Sequence, residues 1–221
     1  MKKDLHNYNQ KFKIFGRKKG RRFINKSKNE ILNKYLLSMQ KDFINKKIIL
    51  DIGSGDGTNA LSLAKKYPHF LIIASDIYQD GNINLCIELQ TRKVNNVKIF
   101  DNNILLLFEE FCFNNFIKEI WILFPDPWPK NKHLKRRLIN CHFIEKVNLF
   151  LEKNGRVNIA TDCLSYFISI LKDFQNSRKF SWVNDLPYKW NYNPKVFQET
   201  KYFKKALRNN KKPLFLIFEK I

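Results

Sequence analysis

Residues 47–59 read KIILDIGSGDGTN, an apolar run that breaks into glycines and resumes as a helical pattern at Thr58. Gly53, Gly55 and Gly57 are three of the chain's seven glycines. Glycine at this density lets the backbone take left-handed conformations and approach a ligand closely. Placed between a strand and a helix N-terminus, such a loop presents free amides and the positive end of the helix dipole. The stretch predicts the first β–loop–α unit of a parallel sheet.

Outward from this unit, short apolar runs alternate with amphipathic ones. FLIIASD (70–76), VKIF (97–100), KEIWILF (118–124), RVNIAT (156–161) and segments near 180–184 and 213–219 read as strands. Helices are predicted near 58–66, 80–93, 104–113, 133–153 and 163–176, after a leading helix from about residue 30 with Ile31, Leu32, Tyr35, Leu36 and Met39 on its apolar side. This alternation implies an α/β fold with helices on both faces of a parallel sheet. There is no internal repeat, and 221 residues suit one sizeable core. We therefore expect a single domain over 29–221.

Residues 1–28 hold eleven basic residues and one acid, with Gly16 and Gly20 interrupting any helical pattern. They read as a basic, flexible N-terminal arm that orders on a polyanion. The whole chain carries 41 Lys+Arg against 20 Asp+Glu, a net charge of +21. Biased composition could inflate lysine, but it would not cluster arginine. Five of the nine arginines fall in two groups, Arg17, Arg21 and Arg22 in the arm and Arg136 and Arg137 in KHLKRRL. Clustering of this kind points to a nucleic-acid surface.

Cys86, Cys112, Cys141 and Cys163 form no CxxC pair, and the four histidines do not gather at metal-ligand spacing, so reduced thiols and no metal are expected. No apolar stretch reaches the roughly 18–20 residues that cross a membrane, and no apolar run follows the lysine-rich start. A cytoplasmic protein, not bound to membrane, is the expectation.

The glycine spacing narrows the ligand. A dinucleotide loop of the form GxGxxG would need glycine at position 58, which is Thr58, whereas the GxGxG form present fits S-adenosylmethionine. Asp76 ends the second strand nineteen residues beyond Gly57, where a carboxylate can accept hydrogen bonds from ribose hydroxyls. An acid there is also often a helix N-cap.

FPDPWPK follows the strand EIWILF, so Asp126 projects from a C-terminal strand end, where open α/β sheets bind ligands. Pro125 and Pro127 preset its backbone and that of Trp128. Lys130, Lys132, Lys135, Arg136 and Arg137 follow without an acid and begin the predicted helix, a pattern that suits phosphate contact better than an ordinary solvated face.

FPDPWPKNKHLKRRL, LDIGSGDG, ATDCLSY, ETKYFKKA and FGRKKGRR together resemble the bacterial tRNA (guanine-N7-)-methyltransferase family over nearly the entire chain. The resemblance implies a Rossmann-like class I methyltransferase fold, a seven-stranded mostly parallel sheet whose last strand is antiparallel. It places cofactor contacts on Asp51, Asp76, Asn103 and Asp126, besides the loop glycines Gly53, Gly55 and Gly57, and the catalytic role on Asp126. Substrate contacts fall on Lys130, Asp162, Thr200, Lys201, Tyr202 and Phe203, and RNA phosphate contacts are expected on Arg17, Arg21, Arg22, Lys135, Arg136 and Arg137. The implied target is guanosine 46 in the variable loop of tRNA, with the protein a monomer or homodimer. At two positions the pattern departs from the family: Asn103 stands where an acid is usual, with Asp101 two residues early, and Phe203 ends a segment that usually ends in glutamate.

Guanine N7 is an sp² nitrogen with a free lone pair and needs no base to remove a proton. A fixed carboxylate can instead accept from guanine N1–H and the exocyclic amine, aligning N7 and favouring the cation that forms. Trp128 is placed either to stack on an extruded base or to bury its ring in the core. A methyltransferase for another RNA or a small molecule, or a noncatalytic RNA-binding protein of the same fold, remains the alternative reading.

Overall fold

The structure, a computed structural model, describes residues 26–37, 46–110, 116–191, 193–195 and 197–221. The arm through residue 25, with Arg17, Arg21 and Arg22, and Cys112 lie outside the described residues. Seven strands, β1 (Ile48–Ile52), β2 (Leu71–Ser75), β3 (Val97–Phe100), β4 (Ile117–Leu123), β5 (Leu151–Thr161), β6 (Phe180–Trp182) and β7 (Leu214–Lys220), form one sheet ordered β3-β2-β1-β4-β5-β7-β6. β1 to β5 pair in parallel, and β7 inserts antiparallel to both β5 and β6. The expected sheet, with its last strand reversed, is what the chain forms.

The helices are α1 (Lys26–Tyr35), α2 (Thr58–Lys66), α3 (Gln79–Thr91), α4 (Ile104–Glu110), α5 (Cys141–Phe150), α6 (Leu164–Ser177), α7 (Pro187–Trp190) and α8 (Lys201–Arg208). β1 and β2 are buried along their whole length. Strands covered on both faces need apolar side chains in both directions, hence the near-continuous IILDI and LIIAS. Ile48, Leu50 and Ile52 belong to one buried cluster that also takes in Phe108 of α4, Phe143 of α5 and Phe174 of α6. Ile49 and Ile72 face the other way, onto Leu63 of α2, Leu85 and Leu89 of α3 and Leu32 of α1.

Three expectations are corrected. The long helix over 133–153 is three pieces: a 3₁₀ helix at Asn131–Arg136, an extended stretch through Arg137, and α5 from Cys141. Asn140 starts α5 because its side chain accepts from the Phe143 amide at 3.1 Å, the geometry of an N-cap. Phe150 ends α5 because β4 competes for the chain: Phe116 donates to the Phe150 carbonyl at 2.8 Å and Leu151 pairs with Ile117. The leading helix begins earlier than its apolar periodicity suggests, at Lys26, and Leu36 leaves it to bridge to Ile99. Helices α7 and α8 lie beyond what the sequence pattern predicts.

Candidate active site

Gly53, Gly55 and Gly57 take φ of 72°, 58° and 81°, the left-handed conformations the sequence implied. The turn is fastened by Gly53 and Ser54 donating to the Ser75 carbonyl at 2.7 and 3.2 Å, and by Gly57 donating to Ser54 at 2.9 Å. A Cβ on Gly57 would meet Leu85 at 2.5 Å, so that glycine also serves the packing of α3 against the loop.

Asp76 joins the loop to α3. Its Oδ2 accepts from the Gly55 amide at 2.8 Å and its Oδ1 from the Tyr78 amide at 2.9 Å, while Asn82 Nδ2 donates to its carbonyl at 2.9 Å. Each carboxylate oxygen keeps a lone pair for an incoming hydroxyl. Gly81 lets α3 come this close, since a Cβ there would lie 2.1 Å from the Gly55 carbonyl. Gly81 and Asn82 were not singled out from sequence, although an isolated glycine within a helical pattern is a signal for close packing.

Asp51 sits beneath the loop at 1% exposure, its Oδ1 accepting from Asn59 Nδ2 at 2.9 Å. Burial pushes its carboxyl up to about 7, against the Asn59 hydrogen bond, with a further rise from Asp76. Asp51 Oδ2, Ser54 Oγ and Asn82 Oδ1 are buried without a hydrogen-bond partner. Unpaired buried acceptors are costly, and a ligand carrying ammonium and ribose hydroxyl donors would satisfy them. The residues present thus fit S-adenosylmethionine.

β4 lies beside β1 and parallel to it, with Ile52 opposite Ile122, so the segment after Leu123 opens on the same rim as the glycine loop. Asp126 is exposed there, and desolvation raises its carboxyl above the ordinary range. Its charge adds to the upward shift of Asp76 and of the Tyr202 phenol, after desolvation in each case. Tyr202 in turn reaches within 3.9 Å of where a Cβ on Gly55 would stand. Glycine loop, Asp76, Asp126 and Tyr202 therefore share one cleft. A concavity of about 650 Å³ lined by Lys46, Lys65, Arg92 and Lys93 lies instead at the opposite rim, where β1 to β3 begin, and holds none of these groups.

Asp162 follows β5 on the cleft rim and pairs with Lys211 at 3.3 Å. Lys130 and Lys135 are exposed, and Arg136 lies over the Trp128 ring at 4.9 Å, with His133 edge-on to the same ring at 5.7 Å. Thr200 caps α8, its hydroxyl accepting from the Phe203 amide at 3.3 Å, and Lys201 and Tyr202 are exposed in the first turn.

Three assignments change. Arg137 is not a surface phosphate contact: it is 7% exposed, with Nε donating to the Pro127 carbonyl and both Nη atoms to Ser165. Phe203 does not face a substrate, because its ring is buried between Phe124 and Phe215. Asn103 stands after β3 as expected, but its Oδ1 accepts from the Leu105 amide at 3.0 Å and caps α4, so only one of its carbonyl lone pairs is left for a ligand.

Residues 45–216 match a family model described as "Putative methyltransferase". A "Bifunctional methyltransferase" of Rickettsia conorii is 33% identical over 192 residues, 86% of this chain; the chain spans 36% of that relative's length. A tRNA (guanine-N(7)-)-methyltransferase of Neorickettsia sennetsu is 32% identical over 158 residues, covering 71% of this chain and 72% of that protein. Among solved structures, an rRNA methylase from Streptococcus thermophilus superposes with a TM-score of 0.54 at 17% identity, over 95% of this chain and 99% of its own. That likeness carries the fold, and the sequence matches carry the kinship: the chain belongs to the tRNA (guanine-N7-)-methyltransferase family.

Proposed function

We propose that this protein transfers a methyl group from S-adenosylmethionine to N7 of guanine in tRNA, at guanosine 46 of the variable loop. The observation that carries the reading is the shared cleft: the glycine loop with its unpaired acceptors and the rigidly flanked Asp126 open on one rim of the sheet. S-adenosylmethionine, when bound, supplies an electrophilic methyl carbon on a sulfonium.

The protein's own groups do the rest by binding and placement. Asp76 accepts the ribose hydroxyls with the lone pairs left free by Gly55 and Tyr78, and Asp51, Ser54 and Asn82 take donors from the amino-acid end. Asp126 accepts from guanine N1–H and the exocyclic amine, which turns N7 towards the cleft and favours the positive charge that develops on the base. Lys130, Lys135 and Arg136, with the arm's Arg17, Arg21 and Arg22, hold phosphates, and Asp162, Lys201 and Tyr202 face the nucleotide. We place the protein in the cytoplasm, acting as a monomer or homodimer.

Incubation with methyl-labelled S-adenosylmethionine and tRNA lacking 7-methylguanosine, followed by nucleoside analysis, tests the reading. The expected product is 7-methylguanosine in wild-type transcripts and none when guanosine 46 is replaced by adenosine. Label on another atom refutes the substrate, and undiminished label in the replaced transcript refutes the position.

A further inference from the structure

The loop that carries Asp126 is poor in backbone pairing. Pro125, Pro127 and Pro129 have no amide hydrogen to donate. Phe124 and Trp128 hold φ of 55° and 39°, left-handed values that residues with bulky side chains rarely take. Such conformations persist only where their surroundings over-determine them.

Arg137 supplies that constraint. Its Nε donates at 2.9 Å to the carbonyl of Pro127, the residue after Asp126. Its Nη1 donates to the Ser165 carbonyl at 3.2 Å and its Nη2 to Ser165 Oγ at 3.0 Å. The guanidinium carbon lies 4.7 Å from the ring centre of Tyr166, whose hydroxyl accepts from the Ile139 amide at 3.0 Å. Ser165 Oγ also lies 3.4 Å from Sγ of Cys163, the neighbour of Asp162. None of the guanidinium's partners among the described residues is a carboxylate. One buried cation with a rigid fork of donors therefore ties the loop after β4 to the first turn of α6, and so ties Asp126 to Asp162.

We infer that Arg137 is a positioning residue for methyl transfer. It locks the backbone on the C-terminal side of Asp126, so that the carboxylate meets guanine at one angle, and it does so without contacting RNA. Lysine cannot replace it, because a point cation on a flexible stem cannot reach the Pro127 carbonyl and Ser165 together. The inference deepens the proposed function and rests on it for its catalytic part.

The test compares Arg137→Lys, Arg137→Gln and Ser165→Ala with the wild type in turnover, in tRNA affinity across salt, and in amide hydrogen exchange. A displacement of the order of 1 Å costs roughly a hundredfold in rate. Both Arg137 variants are thus expected to lose about thirtyfold or more in kcat, with KM for tRNA, tRNA affinity and its salt slope unchanged within about threefold. Exchange of the Phe124 and Ile139 amides, which flank the loop and donate to the Ala160 carbonyl and the Tyr166 hydroxyl, is expected to speed up while the interiors of β4 and β5 stay protected. Ser165→Ala, which removes one acceptor from an exposed residue, shifts both readouts the same way by less, and decides the matter should the Arg137 variants not fold.

Weakened tRNA binding with a shallower salt slope and a retained kcat would show Arg137 to be a phosphate contact after all and overturn the inference. Unchanged exchange at Phe124 and Ile139 would overturn it whatever the activity, and so would exchange that rises equally in the interiors of β4 and β5. Should the wild type methylate no guanine, the substrate reading fails, while the exchange measurement still decides whether Arg137 braces the loop.

Discussion

Asp51 and Asp126 are both held above the ordinary aspartate range by desolvation, with opposite expected consequences on neutralisation. Asp51 binds its proton more tightly in the folded chain, where its value is about 7, than in the unfolded one, near 3.8. The unfolded chain therefore ionises first, and the ligand-free protein loses stability as pH rises from about 4 to about 7. Asp51→Asn removes that penalty: melting at pH 8 is expected to rise by roughly 2–4 °C, while affinity for S-adenosylhomocysteine falls, both readable by thermal shift and calorimetry. In the proposed mechanism Asp126 acts as a carboxylate, so Asp126→Ala is expected to abolish transfer yet leave the melt and tRNA binding near wild type. Near-normal turnover would remove its catalytic role. The placement of the glycine loop, Asp76 and Asp126 on one rim was legible in sequence because glycine, proline and a strand-end acid each constrain the backbone by residue type alone, whereas Asp51 entered only through the family resemblance. Arg137 and Phe203 were misassigned because a run such as KRRL shows charge but not direction, and only the fold reveals which guanidinium turns inwards.

At the level of elements, the strands were legible because burial on both faces demands continuous apolar runs, and β1, β2 and β3 fall within about a residue of the sequence reading. The break between the 3₁₀ helix and α5 was not, since Leu134, Leu138 and Ile139 keep an apolar rhythm across it while Asn140 resets the backbone. Asn140→Ala is expected to cost about 1 kcal/mol, the usual worth of an N-cap, seen as a melt lowered by roughly 2–4 °C. Helix α8 escaped notice because KYFKKALR is short and only Phe203 and Ala206 are buried. Gly81→Ala probes the contact between α3 and the glycine loop. With a Cβ 2.1 Å from the Gly55 carbonyl, the two backbones must part. Affinity for S-adenosylhomocysteine is then expected to drop more than about tenfold, which is about 1.4 kcal/mol, and an unaltered titration would show that the approach of α3 is dispensable.

Over the whole molecule, the net charge of +21 predicts tRNA binding that weakens steeply with salt. Replacing Lys130, Lys135 and Arg136 with glutamine is expected to reduce the slope of log K against log salt by about 2–3, since each phosphate left unneutralised takes away roughly 0.7–0.9. A filter-binding series read at several salt concentrations would reveal an unchanged slope if these side chains do not meet RNA. The strand order has a further consequence for biogenesis. β7 enters between β5 and β6, so the strand that completes the interior of the sheet is translated after every other strand. A nascent chain emerging from the ribosome carries β5 with a bare edge until Leu214–Lys220 arrive, and fragments ending before Leu214 should be clients for chaperones rather than weakened enzymes.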